Sequence, residues 1–427
     1  MIIKIKNYSK RIVSIILLIL IFLINLSIEY SKYLDFIDEE IYETKVEVLN
    51  IYEKPTNNIL RLKAQNFDFF ANIDKSEDIK KFDVLNMTIV SLNISFLDYL
   101  KGFYAKTIYF DKIEKTPKFI DKIIEKINSN HEDEMIKELF QTLFLGTSIS
   151  KELRDICTNY GISHVVALSG FHLAVLSFTI YWVLYFPYSF FHQRYFLYRN
   201  KKYDLILISL VFLFYYLILT DIIPSLLRAF VMLVLTIYFL RSNIKIVSYT
   251  NLFFTFLIVI ALFPKFLFSL GFWFSIIAVF YIFLFIQYFK NLNKYFQIIF
   301  FDFWMFLVFN PIVHLYFPQT TYEQFLSIPI NILFAIFFIF EIFSHISRFG
   351  GCLDWYIKIF LDYEMSSYDV VTPFYFILIY MICSITSVFN KKAFLVLNIL
   401  LVFFNLYLFH CLIQNNPQQE ITTLKIV

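Results

Sequence analysis

The sequence contains repeated apolar runs of about 20 residues, the length that an α-helix needs to cross the hydrocarbon core of a bilayer. Nine of them follow the first third of the chain, at roughly 163–187, 204–221, 223–240, 248–263, 267–289, 296–316, 324–345, 369–389 and 393–412. The composition agrees, since 59% of all residues are hydrophobic and 17% are charged. We therefore expect an all-α, polytopic membrane bundle of about 9 to 10 transmembrane helices, including an N-terminal anchor.

The N-terminal apolar run lies at about residues 12–29 and follows a basic stretch. No small-residue cleavage site follows it, so residues 1–30 are predicted to be an uncleaved transmembrane anchor with a cytoplasmic N-terminus. Basic loops at 194–202, 241–245 and 290–294 alternate as cytoplasmic loops should. Lys391 and Lys392 break this alternation, so a late segment such as 352–363 is expected to be re-entrant or interfacial.

Residues 42–115 differ in character from the rest of the chain. They contain five short strand-like runs, KVEVLNIYE, ILRLKAQ, FDFFANI, VLNMTIVSLNISF and YAKTIYF, several of which alternate apolar with polar residues. This pattern predicts a small, inserted OB-like β-barrel or sandwich on the extracytoplasmic side. The region has eleven basic and eleven acidic residues, so no basic groove is visible and a purely structural barrel remains as plausible as a nucleic-acid-binding one.

Three further segments complete the predicted organisation. Residues 117–160 carry amphipathic helical stripes and are predicted to be interfacial helices, the last of which should end at Gly161 as its C′ residue. Residues 161–413 would form the transmembrane domain, and residues 414–427 a short tail.

The stretch GISHVVALSGFHLAVL, residues 161–176, places polar groups at the start of an apolar helix. A buried serine hydrolase could use Ser169 and His172, but neighbours on one helix rarely aim a base at a nucleophile. A metal site is disfavoured because His164 and His172 would lie about 12 Å apart along a helix axis. The third reading, a polar helix start that lines an aqueous path, also explains Gly161 and Gly170, which would allow a helix break or close packing. We therefore expect no enzyme activity, metal or cofactor.

A few charged or titratable residues interrupt other apolar runs, at a cost of roughly 2.5 to 3.5 kcal/mol each at a helix centre. Arg228 follows Pro224 and could either snorkel to the interface or line a path. A headgroup location is favoured for Asp302, His314 and His345. Glu341 lies deeper and is expected to pair with a neighbouring helix.

The segment LFLGTSISKELRDICTNYGISHVVALSGFHLAVL, residues 143–176, resembles the signature of the ComEC/Rec2 competence proteins. Later stretches agree with that family in order and spacing: IIPSLLRAFVML with Arg228, SLGFWFSIIAVF with Gly271, and FLSIPINILFAI with Pro329. The resemblance implies an inner-membrane, multi-pass channel that imports single-stranded DNA into the cytoplasm during natural transformation. Its DNA path or gate would involve His164, Ser169, Gly170, His172, Arg228, Gly271 and Pro329.

The resemblance also implies partners and absent parts. Tyr52, Phe69 and Tyr104 of the β domain could stack on DNA bases. No GxxxxGK[ST] loop occurs, so we expect a cytoplasmic ATPase or helicase partner, together with a periplasmic DNA-binding competence protein. No HxHxD occurs, so the nuclease domain of many family members is not expected here. Whether a homo-oligomer forms the pore is left open, and the alternative is a secondary transporter or lipid-handling permease that does not act on DNA.

Overall fold

The computed structural model describes residues 2–75, 77–195, 197–240 and 248–414, which fall into two compact units. Unit 1 consists of Met1–Ser129, Phe140–Lys151 and Leu168–Ile276; unit 2 consists of Asn130–Leu139, Glu152–Ala167 and Ile277–Val427. The chain thus passes repeatedly from one unit to the other. The predicted basic loop at 241–245 and all but the first residue of the predicted tail lie outside the described residues.

The α-helices of the described residues are numbered in chain order. They are α1 (Ile2–Ile37), α2 (Phe96–Lys101), α3 (Phe119–Asn128), α4 (Glu134–Leu145), α5 (Lys151–Asn159), α6 (Ser163–Val166), α7 (Gly170–Tyr195), α8 (Lys201–Leu219), α9 (Pro224–Leu240), α10 (Tyr249–Leu262), α11 (Leu270–Phe289), α12 (Lys294–Val313), α13 (Ser327–Ile346), α14 (Asp354–Leu361), α15 (Phe374–Ser387) and α16 (Lys391–Gln414). Short 3₁₀ helices lie at Pro264–Phe268, Glu323–Leu326 and Gly350–Leu353.

Each of the nine predicted apolar segments overlaps one long helix among α7–α13, α15 and α16, and the first segment also includes the short α6. In the described part of the chain, seven helical stretches are long and apolar enough to cross a membrane: those of α1, α7, α8, α11, α12, α13 and α16. The apolar helices α9, α10 and α15 are shorter. Helix α14 has only eight residues and is about 12 Å long, which is too short to span a bilayer, and the re-entrant or interfacial location of its segment stays a prediction.

The β domain has six strands rather than the five predicted. They are β1 (Ile41–Glu53), β2 (Asn57–Lys63), β3 (Asp68–Asp74), β4 (Val84–Val90), β5 (Phe103–Ala105) and β6 (Thr107–Ile113). The prediction of one strand for YAKTIYF was wrong, because this run supplies both β5 and β6.

These strands form one sheet in the order β5-β3-β2-β1-β4-β6. Strand β5 pairs in parallel with β3, whereas β6 pairs antiparallel with β4 at the opposite edge. Only Lys106 separates β5 from β6, so the sheet must curl until its two edges approach each other. The result is a curled half-barrel, and its assignment to the OB type stays a prediction.

The inner face of this sheet is apolar because side chains alternate between the two faces of a strand. In β4, for example, Leu85, Met87 and Ile89 are fully buried while their neighbours are not. Helix α1 contributes Phe36 to the same core, with its ring centroid 4.8 Å from that of Phe67. The end of the N-terminal helix is thereby packed against the β domain within unit 1.

Side-chain hydrogen bonds join the helices of unit 2. Trp304 Nε1 donates to Asn398 Oδ1 at 2.9 Å, linking α12 to α16. The Asn310 amide donates to Asn405 Oδ1 at 2.6 Å between the same helices. The Tyr380 hydroxyl of α15 donates to the Val308 carbonyl at 2.9 Å. Such bonds help membrane helices to associate, because lipid supplies no competing partners. A two-stranded ladder, β7 (Gln319–Thr320) with β8 (Tyr368–Asp369), also belongs to this unit.

Candidate functional site

Helix α5 ends in a Schellman motif, which requires a left-handed residue just after the helix. Gly161 occupies that position with a φ of +69°. Its N–H donates to the Thr158 carbonyl at 2.9 Å, and the Ile162 N–H donates to the Cys157 carbonyl at 2.9 Å. The prediction that Gly161 is the C′ residue is confirmed.

The predicted helix break is present between α6 and α7. Helix α6 ends at Val166, and Ala167 is extended with φ −67° and ψ 131°. Helix α7 begins at Gly170, so the break precedes this glycine rather than falling on it. Ser169 caps the new helix, since its Oγ accepts the Phe171 N–H at 3.3 Å.

His172 is fully buried in the first turn of α7 and stabilises the same cap. Its Nδ1 accepts the Ser169 backbone N–H at 3.2 Å and lies 3.1 Å from Ser169 Oγ. Because Nδ1 accepts a backbone N–H, it carries no proton and the neutral ring holds its proton on Nε2. Ser169 and His172 share one face, as predicted. Although they are neighbours on one helix, the Ser169 Oγ and the His172 Nδ1 are within hydrogen-bond distance. Backbone N–H groups nevertheless engage both the hydroxyl and Nδ1, so the arrangement serves as a helix cap.

Arg228 lies in α9, whose first residue is Pro224, a position where proline needs no N–H partner. The Arg228 side chain is 6% exposed, which rules out snorkelling into solvent in this structure. Its Nε donates to Ser275 Oγ at 2.9 Å, and its Nη1 lies 4.0 Å from Met232 Sδ. Within the described residues, no carboxylate forms an ion pair with this guanidinium.

Gly170 allows Arg228 to reach the start of α7. A Cβ at residue 170 would lie 2.7 Å from Arg228 Nη2 and 3.1 Å from the Cβ of Ala229. The guanidinium therefore sits against the N-terminal turn of α7, where the helix dipole adds partial positive charge. We call Ser169, Gly170, His172, Arg228 and Ser275 the α7 basic cluster; it lies entirely in unit 1. A buried cation at a helix N-terminus suits an anion such as a phosphate.

The structure does not bring every predicted path residue into this cluster. His164 belongs to unit 2, where it is exposed and its Nε2 lies 3.1 Å from Asn331 Oδ1. Pro329 is also in unit 2, in the first turn of α13. Gly271 is exposed in unit 1, and a Cβ there would touch only Ser269 Oγ, at 3.9 Å. One continuous sequence motif is thus divided between the two units.

Of the three β-domain aromatic residues proposed to stack on DNA, Tyr104 is the best placed. It is 63% exposed, and its ring stacks on Phe70 with centroids 5.2 Å apart. Tyr52 is half-buried in β1. The prediction for Phe69 was wrong, because Phe69 is fully buried in the sheet core and cannot meet DNA. The alternation of FDFFANI places Phe69 on the inward face and could have revealed this.

Two histidines for which a headgroup location was predicted have partners within the protein. His314 is 2% exposed, with Nδ1 donating to the Asn310 carbonyl at 2.9 Å and Nε2 lying 3.0 Å from Thr320 Oγ1. His345 is 6% exposed and lies 3.3 Å from the carboxylate of Glu341 on the same helix. Both are therefore buried in unit 2 at the ends of their helices, and their location at headgroup depth stays a prediction. Glu341 pairs with its own helix rather than with another.

The fold and the cluster define a mostly helical protein with several membrane-capable helices, a curled β domain and a buried basic site at a broken helix. Residues 143–394, more than half of the chain, match the family described as Competence protein. The chain belongs to this competence protein family, as its resemblance to the ComEC/Rec2 type predicted, and membership supports a role in DNA uptake. Comparison with the curated proteins gave no match. Comparison with the solved structures gave none either.

Proposed function

We propose that this protein is an inner-membrane channel that imports single-stranded DNA into the cytoplasm during natural transformation, with its β domain on the extracytoplasmic side. The observation that carries the proposal is Arg228, a buried guanidinium at the start of α7 for which the described residues supply no carboxylate. It lies within the part of the chain that matches the competence family.

The physical argument rests on the cost of burying a charge. Removing an ion from water costs several kcal/mol in real proteins, and a single hydroxyl partner returns only part of it. A phosphate of a passing strand would neutralise the guanidinium and would also accept N–H groups at the helix start. Such contacts are independent of base identity, as a channel for any DNA sequence requires.

The remaining path residues receive narrower roles in this proposal. Ser169 and His172 fix the first turn of α7, and Gly170 keeps the helix start open to the guanidinium. His164, Gly271 and Pro329 are proposed to lie along the path or its gate. The protein would act without enzyme activity or cofactor, alongside a periplasmic DNA-binding competence protein and a cytoplasmic ATPase or helicase.

The test uses a deletion strain complemented with variants and measures the entry of labelled DNA into the cytoplasm. Arg228→Gln should abolish import while the protein level and membrane insertion stay normal, and Arg228→Lys should retain part of it. Arg199→Gln is the matched control, since Arg199 is half-exposed and already paired with Asp204 at 2.9 Å. Normal import by Arg228→Gln would refute the assignment. A growth or envelope defect with normal import would instead favour a permease.

The β domain has its own test. Tyr104→Ala in the full-length protein should weaken binding of single-stranded DNA by about 1 to 3 kcal/mol, the usual value for one stacked base. Ile108→Ala is the control, because Ile108 is comparably exposed at 54% but has no aromatic ring. Equal binding by the two variants would leave the β domain as a structural or docking module.

A further inference from the structure

Three titratable side chains form a hydrogen-bonded row in unit 2, and a fourth, the carboxylate of Glu341, lies within ion-pair distance of its last ring. His131 Nδ1 lies 2.8 Å and 3.0 Å from the two carboxylate oxygens of Asp354. His131 Nε2 lies 2.9 Å from His345 Nε2. His345 Nδ1 lies 2.8 Å from the Glu341 carbonyl oxygen and 3.3 Å from its Oε2. We call Asp354, His131, His345 and Glu341 the histidine–carboxylate row.

The row joins three separate pieces of the chain. His131 lies in the connection between α3 and α4, His345 and Glu341 are one turn apart on α13, and Asp354 is the first residue of α14. The connection is held by Asn130, whose Oδ1 accepts the Gly350 N–H at 3.3 Å. The two ends of the row differ in exposure: the Glu341 side chain is 0% exposed and that of Asp354 is 24% exposed.

The acceptors in the row determine how many protons the two rings hold. A carbonyl oxygen can only accept, so His345 Nδ1 carries a proton, and an ionised Asp354 likewise requires a proton on His131 Nδ1. The contact between the two Nε2 atoms needs one proton, because two lone pairs or two N–H groups would repel. The four nitrogens therefore hold three protons, which gives the pair of rings one positive charge.

The surroundings are consistent with this charge. Glu341 Oε2 accepts the Ser344 hydroxyl at 3.0 Å and faces His345, so the fully buried carboxylate has a cation beside it. Burial lowers the pKa of His131, although Asp354 opposes the shift, and His131 is therefore the neutral ring. Of the two positions that the shared proton can take, the lowered pKa of His131 therefore favours the one in which the Nε2–H of His345 donates to His131 Nε2.

Other titratable groups near the row do not compete for this proton. Partial desolvation, followed by the charge of Glu341, raises the pKa of the Cys352 thiol, which stays neutral. Lys358 is paired with Asp133 at 3.1 Å.

We propose that the histidine–carboxylate row is a proton-binding site that stores one excess proton and passes it between its Glu341 end and its Asp354 end. In the transfer, the N–H bond at His345 Nε2 breaks and a new one forms at His131 Nε2, with no change in electron count. The positive charge then moves from Glu341 on α13 towards the more exposed Asp354 on α14. Proton binding by the row does not depend on what the protein transports, so a failure of the DNA-import proposal would not refute it, and the reverse also holds.

The test is a titration of the full-length protein, purified in detergent with ¹⁵N-labelled histidine, by NMR of the ring nitrogens between about pH 5 and 8. The chain has only seven histidines, so single substitutions assign the signals. We expect one doubly protonated ring to persist at about pH 8, hydrogen-bonded to a neutral ring. His131→Gln or His345→Gln should remove the signal of the replaced ring and also shift the signal of the ring that is left. His192→Gln is the control, because His192 is a half-buried histidine of unit 1 that bonds to the Arg199 carbonyl, away from the row.

Two further variants separate proton storage from a structural role. Glu341→Gln keeps the shape but removes the buried negative charge, so the doubly protonated ring should be lost at about pH 8 and the chain should bind one proton fewer. Asp354→Asn should leave the excess proton on His345. Wild-type protein with both rings neutral at this pH, or with two rings that titrate independently, would overturn the proposal even if every variant failed to fold.

Discussion

Arg228→Met replaces the buried guanidinium of the α7 basic cluster with an apolar chain of similar length. The substitution separates two roles that a buried arginine can have. If Arg228 holds the fold together, its loss should destabilise unit 1. If Arg228 instead serves to bind an anionic ligand, the ligand-free protein is destabilised by an uncompensated buried charge. The variant without this charge should then be more stable than the wild type.

The magnitude follows from the contacts of Arg228. Its burial costs several kcal/mol, whereas the charged hydrogen bond to Ser275 Oγ returns about 1.5 to 3 kcal/mol. Methionine removes both contributions and leaves the Ser275 hydroxyl without its donor, a loss of about 1 kcal/mol. We expect Arg228→Met to raise the free energy of unfolding of unit 1 by about 1 to 2 kcal/mol, in line with other replacements of buried ions. For a unit of this size, that raises the unfolding midpoint by about 2 to 8 °C.

The assay compares thermal unfolding of purified wild-type, Arg228→Met and Arg228→Lys protein, and measures DNA import by the same three variants in cells. Lysine keeps the charge but cannot reproduce the Nε bond to Ser275, so this variant should be no more stable than the wild type. The expected pattern is a methionine variant with higher stability and no import. A lower midpoint combined with normal import would show that Arg228 is structural and refute the reasoning.

Three further predictions concern residues whose backbone or charge the structure explains. Gly170→Ala should reduce DNA import several-fold and lower the unfolding midpoint slightly, because its Cβ displaces the flexible end of Arg228 and also lies 3.1 Å from the Cβ of Ala229, which cannot move without its backbone. Gly161→Ala should lower the free energy of unfolding by about 1 kcal/mol because of its φ of +69°, whereas Gly271→Ala, with open space around it, should change it far less. Burial lowers the pKa of His131 below 6.5, so below about pH 6.5 the His131 ring binds a proton more readily in the unfolded chain than in the folded one. The free energy of unfolding should therefore fall as the pH drops below about 6.5, and unfolding measurements on His131→Gln should show a weaker pH dependence.

Much of the membrane part could be predicted because the signals are local. Each apolar run forms a helix, since in lipid every backbone N–H and C=O must find a partner within its own segment. The end of α5 could be predicted equally well, because a glycine after an amphipathic helix adopts the left-handed conformation in which backbone N–H groups bond to the last helix carbonyls. Strand alternation likewise predicts a half-buried sheet, and in FDFFANI the same alternation places Phe69 on the buried face.

The errors arise where strand pairing or burial depends on distant residues. YAKTIYF looks like one strand, yet the curl of the sheet places its two parts on opposite edges. The sequence around His345 does not reveal its partner, because His131, 214 positions earlier, supplies it. Neither relation leaves a periodic signal in the chain.

The sequence by itself determined the helices, the break before α7 and the membership of the competence family, because backbone hydrogen bonding and apolar length act over a few residues. Only the tertiary structure decided which polar groups meet. Ser275 reaches Arg228 across 47 positions, and Asp354 reaches His131 across 223. A buried charge or ring nitrogen bonds to the polar group that tertiary packing places within about 3 Å of it, and the position of that group depends on the whole fold.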